Sequence, residues 1–169
     1  TRWIEQQGIL QEYSIENLIK RAELQEAADV RKFGRESAFT LKTWRMERYA
    51  AIRDLESKAK TERALLDIKN NVSRAESADK RVTSILTALA KAIKDGETEE
   101  SNRLARELGD AELQATEAWG RIPGVDPLTT RQLTEFQQFG IIGGEIVEAI
   151  SEADTPTIFR ESITAIKQG

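Results

Sequence analysis

The chain has 169 residues, of which 39% are hydrophobic and 32% charged, with a net charge of -4; this fits one soluble globular domain over 1–169 that buries roughly two thirds of its unfolded surface. It contains no cysteine and no histidine, which excludes disulfides, thiol nucleophiles, iron–sulfur and Cys-type zinc sites, Ser-His-Asp triads and haem histidines. The acidic balance argues against a duplex-DNA binder, whose phosphate contacts need a surplus of lysine and arginine on one face.

Alanine, glutamate, leucine, arginine, lysine and glutamine dominate, and these residues lose least on entering a helix. With only 3 prolines and 10 glycines, the expected class is all-α: an antiparallel helical bundle of about four long helices plus two short C-terminal ones. No apolar run reaches the ~20 residues that span a bilayer, and the opening "TRWIEQQ" is not a signal segment. Any membrane span would flank the chain. The first residue is Thr1 rather than Met, which leaves open both removal of Met and a fragment of a longer chain.

In chain order, Trp3, Ile4, Leu10, Tyr13, Ile15, Leu18, Ile19, Ala22, Val30 and Phe33 follow steps of three and four, with a break at Gly8 or Ser14. After a joint at Gly34, a second helix is expected from Glu36 to about Asn70, with Leu41, Trp44, Arg48, Ala51, Leu55 and Leu66 on one stripe. At ~1.5 Å per residue it would be about 50 Å long. Asn70 and Asn71 read as its stop and Ser77 as the N-cap of a third helix that turns Ala78, Val82, Ile85, Leu89 and Ile93 inward. Asp95-Gly96 closes that helix, and Thr98 caps the next. The fourth helix carries Leu104, Leu108, Ala111, Ala115, Ala118 and Ile122 in alternating steps of four and three, the spacing of helices packed at a shallow angle. Intramolecular core is the preferred reading of this stripe over an intermolecular seam. A turn over 123–126 follows, Asp126 caps a helix beginning at Pro127, and joints at 140–144 and 154–155 precede the last helix with Ile158, Phe159, Ile163 and Ile166.

Several motifs bear on function. "VRKFGRESAFTLKTW" approaches a helix-turn-helix, but Arg35 stands where an apolar residue is needed and the tryptophan comes one position late. A glycine joint between two bundle helices is preferred. "TWRMERY" places Arg48 on the apolar stripe with Arg45 three residues before it, and an arginine inside a bundle needs an anion. Two readings stand. The anion is one of the chain's own glutamates, or it is a ligand carboxylate gripped by a guanidinium, with Trp44 and Tyr49 as walls and Arg74 and Arg81 facing the same region. The candidate ligand-binding residues are therefore Arg45, Arg48, Trp44 and Arg81; no catalytic residue, metal site or cofactor is expected. Gly140-x-x-x-Gly144 reads as a close-packed corner, because Glu145 and Glu148 exclude a lipid-facing helix. No loop has the oxygen-ligand spacing of an EF-hand.

"LAKAIKDGETEESNRLARELGDAELQATEAWGRI" followed by "DPLTTRQLTEFQQFGIIGGEIVEAISEADTPTIFRESITAIK" resembles the helical-bundle sensor domains of bacterial chemoreceptors and sensor kinases. Asp95-Gly96 corresponds to the first turn of such domains and Ser151 to Thr155 to the second, and the resemblance covers roughly the second half of the chain. It implies an extracytoplasmic, non-enzymatic module that binds a small anionic ligand, works as a dimer and relays a helix displacement to a membrane segment. The competing reading is a structural or assembly subunit, for example of a phage virion, that acts by helix-to-helix self-association with Leu104 to Ile122 as its seam. In both the partner is another copy of the chain, with no nucleic acid; the sensor reading adds a small carboxylate and a periplasmic location.

Overall fold

The computed structural model describes residues 13–138 and Ile141. The expected N-terminal stripe before Tyr13, the 140–144 corner, the Ser151 to Thr155 turn and the final helix lie outside the described residues. Those described form helices joined by short turns, with no strand: α1 Ile15–Phe33, α2 Arg35–Lys58, α3 Glu62–Lys94, α4 Thr98–Gly120 and α5 Pro127–Gln138. The chain contacts fall into two compact units. Of the described residues, one comprises those up to Ser77 together with Thr116–Thr130, the other Ala78–Ala115 and those from Arg131 on.

In the first unit, α1 and α2 meet at a single residue. Gly34 has φ +84° and ψ 169°, a region essentially reserved for glycine. Its N–H donates to Val30 O at 2.9 Å and its carbonyl accepts from Ala38 N at 3.0 Å, so one residue closes α1 and opens α2. Two ion pairs join the helices, Lys42 Nζ to Glu26 Oε2 at 3.0 Å and Arg45 Nη1 to Asp29 Oδ2 at 2.8 Å. Here the structure departs from the expected helix of Glu36 to Asn70. α2 ends at Lys58, Ala59 is extended, and α3 begins three residues later. Thr61 makes the start: its Oγ1 accepts the Ala64 N–H at 3.0 Å and its carbonyl the Leu65 N–H at 3.1 Å, the pattern of a threonine N-cap. Asn70, Asn71 and Ser77, expected to punctuate, all sit inside α3. Each asparagine disfavours the helix by roughly 0.7 kcal/mol or less, whereas burial of neighbouring Val72 alone contributes about 1.5–3 kcal/mol, so packing overrides the local signal.

The apolar centre of this unit gathers Tyr13, Ile15, Leu18 and Ala22 with Tyr49 and Ile52 of α2, Val72 and Ala75 of α3, and Trp119, Ile122 and Val125. The turn after α4 uses Gly124 at φ +84°, where an added Cβ would sit 3.8 Å from the Ala51 Cβ.

In the second unit the inward residues of 78–94 and 98–115 form one cluster: Val82, Ile85, Leu86, Leu89, Ala92 and Ile93 against Leu104, Leu108, Ala111 and Ala115. The connection is a Schellman closure at Gly96, φ +71°. Gly96 N donates to Ile93 O at 3.1 Å and Glu97 N to Ala92 O at 3.0 Å. Thr98 is the first helical residue rather than the cap; Glu97 holds the cap position, its carbonyl accepting the Ser101 N–H at 2.9 Å and hydroxyl at 2.7 Å.

The stripe on α4 is spent inside the chain. Leu104, Leu108, Ala111 and Ala115 are buried in the second unit, Ile122 is buried in the first, and Ala118 packs against the first unit's cluster. At the start of α5, Asp126 accepts the Thr130 N–H on its carbonyl and the Thr129 hydroxyl on its carboxylate, both at 3.2 Å, so Pro127 takes the first helical position.

Candidate functional site

Charged and aromatic side chains come together in the first unit. α2 supplies Arg45, Arg48 and Tyr49, α1 supplies Asp29, α3 supplies Glu76, and the end of α4 supplies Trp119. The spacing of α2 explains its share. Leu41, Arg48 and Ile52 are buried on one face at steps of seven and four, so Arg48 is carried into the interior by the apolar residues above and below it.

Arg48 is only 5% exposed and lies over the indole of Trp119, which is fully buried, with the guanidinium carbon 3.8 Å from the ring centroid. A desolvated guanidinium on a tryptophan face is attracted by about 2 kcal/mol or more. The Trp119 Nε1–H is itself buried with no hydrogen-bond acceptor among the described residues.

Arg45 is engaged differently. Its Nη1 bonds the Asp29 carboxylate at 2.8 Å, with side chains 14% and 4% exposed respectively. The second Asp29 oxygen accepts from Gln25 Nε2 at 3.2 Å. Asp29 is thus bonded through both oxygens. For Arg45 the anion is an aspartate of the preceding helix, where sequence reasoning looked to the glutamates.

Tyr49 links α2 to α3 by donating its hydroxyl to Glu76 Oε1 at 3.1 Å. Burial, and then the negative charge of Glu76, push the phenol far above its usual range, while Arg48 and Arg45 pull it the other way. Tyr49 therefore stays a neutral donor at any working pH. At the next residue of α3, the Ser77 hydroxyl donates to Tyr13 Oη at 3.4 Å, and Arg21 lies over the Tyr13 ring at 5.6 Å.

Of the residues singled out from sequence, Arg45, Arg48 and Trp44 belong to the first unit and Arg81 to the second. Trp44 is half-buried on α2. Arg81 is exposed and donates to Gln114 Oε1 of α4 at 2.6 Å, and Arg74 is exposed on α3. Asp29, Glu76 and Trp119 were missed. Trp119 had a readable signal: from Ala115 a step of four reaches it, and a straight helix of 3.6 residues per turn drifts off a strict 3.5 repeat within about a heptad. Asp29 had none, since nothing local marks one carboxylate among 29 acidic residues as the buried one.

Elsewhere, an open groove of about 800 Å³ runs along the first turns of α4, lined by Glu97, Thr98, Glu99, Glu100, Asn102 and Arg103. Arg103 there is held between Glu100 and Glu107 of its own helix, which lowers the proton affinity of Glu100 through the Arg103 hydrogen bond. Among the described residues no three metal-ligating side chains converge, and no helix is long and apolar enough to cross a membrane. No known protein family, curated protein or solved structure matches the chain.

Proposed function

We propose that the chain is a non-enzymatic antiparallel helical bundle that works by helix-to-helix association with further copies of itself, in the structural or assembly class. The observation that carries this reading is the Asp29 and Arg45 pair. Arg45, one of the arginines expected to receive a ligand carboxylate, already holds a carboxylate of its own chain, at 2.8 Å and largely out of water. Recognition then falls to the outside of the helices. There Leu24 and Phe39, in the first unit, remain 77% and 68% exposed, and Leu113, in the second, 60%. Single exposed apolar residues are ordinary on any surface, so the weight rests on the occupied interior and not on their number. The α4 stripe is left out of the proposed association surface, because its residues are buried within the chain's own clusters.

One observation favours the sensor reading instead. The Trp119 Nε1–H, on the ring over which Arg48 lies, is buried with no acceptor among the described residues, and a small anion admitted there would find a hydrogen-bond donor.

The test is sedimentation or light scattering over a hundredfold range of protein concentration, paired with thermal melts in the presence of acetate, citrate and dicarboxylic amino acids. Self-association predicts a mass that grows with concentration and a melting midpoint that climbs with it. A strictly monomeric chain whose midpoint rises with one of these acids, and no longer does so in Arg48→Met, would replace the assembly reading with the sensor one.

A further inference from the structure

We draw no further inference here: the strongest candidate, the half-buried carboxylate pair of Glu112 on α4 and Glu135 on α5 in the second unit, rests on a shifted protonation equilibrium alone, which by itself points to no ligand, partner or moving part.

Discussion

Removing the Asp29 carboxylate is the sharpest available test of how the first unit is held. In Asp29→Ala the Arg45 guanidinium keeps its position under a largely buried side chain but loses its anion at 2.8 Å, and Gln25 loses the oxygen that its amide contacts at 3.2 Å. Breaking one side of a buried ion pair costs about 3–5 kcal/mol, because the partner charge is left uncompensated. The accessible Lys42 and Glu26 pair, about a third exposed on each side, joins the same two helices and supplies the control. Glu26→Ala is expected to cost about 0.2–1 kcal/mol and to lose that effect in high salt. For a chain of this length 1 kcal/mol moves the melting midpoint by about 2–4 °C, so the two substitutions should separate by several degrees.

Urea unfolding at two salt concentrations, followed by far-ultraviolet circular dichroism, measures both. The double substitution Asp29→Leu with Arg45→Met is the companion variant. It replaces the charges by apolar groups of similar reach and is expected to recover most of the loss, since buried ion pairs exchanged for well-packed apolar residues are often neutral or better. A cost below about 1 kcal/mol for Asp29→Ala would refute the reasoning. So would a double variant as unstable as the single one, because either result means that the two charges are not coupled as the 2.8 Å contact requires.

Tyr49→Phe removes the hydroxyl that reaches Glu76 at 3.1 Å and should destabilise by about 1.5–3 kcal/mol, read as a lower urea midpoint with an unchanged slope. Gly109 lies inside α4, and an added Cβ there would meet nothing within 4 Å; Gly109→Ala should therefore stabilise by about 0.5–1 kcal/mol, and a destabilised variant would mean that another backbone approaches this position. Glu112 is pushed up to about 7, by burial first and by the charge of Glu135 second, from an ordinary carboxylate value of 4.5. Its folded-state affinity for the proton is raised, so its favourable contribution is complete below about pH 4.5 and is lost as pH rises through about 7. Half-exposed, it is worth only about 1 kcal/mol after solvent screening, and Glu112→Gln should raise stability by that amount at about pH 8 and by nothing at about pH 4, as urea midpoints across the range will show.

The elements that were legible in the sequence are those where local chemistry and packing agree. Gly34, Asp95-Gly96 and Asp126-Pro127 each need a special backbone conformation or a missing N–H, and each bounds a helix in the structure. Asn70, Asn71 and Ser77 were read as punctuation because their side chains compete for backbone hydrogen bonds. Within α3 that preference is outweighed by the burial of Val72, Ala75 and Val82 on one continuous face. Thr61 was the reverse case. Its capping role was written in "KTERALL", a threonine just before a helix-forming run, and was hidden only because the charged stretch around it continues the pattern of α2. For the candidate site, the periodicity that put Arg48 inside was visible along α2 alone. Its counterpart Trp119 comes from 71 positions away, Glu76 lies 27 beyond its partner Tyr49, and Asp29 lies 16 before Arg45, separations that no local pattern encodes.

The stripe on α4 decides which functional arguments remain open. A strict alternation of three and four is equally compatible with a seam between chains and with a core within one, because both ask only that one face of the helix be apolar. Burial separates them. Leu104, Leu108, Ala111 and Ala115 close on residues of α3 in the second unit, and Ile122 closes on the first unit's own cluster, so opening the stripe to another chain would first expose both clusters to water. At about 25 cal/mol per Å² of apolar surface, that exchange gains nothing unless the partner covers at least the same area. The self-association proposed above therefore has to be drawn from residues that the chain leaves in solvent, and on that proposal substitutions such as Phe39→Ser or Leu113→Ser should weaken it without touching the fold. Loss of the helical signal in either variant would place those residues in the core after all, and an unchanged mass in both would remove them from the association surface.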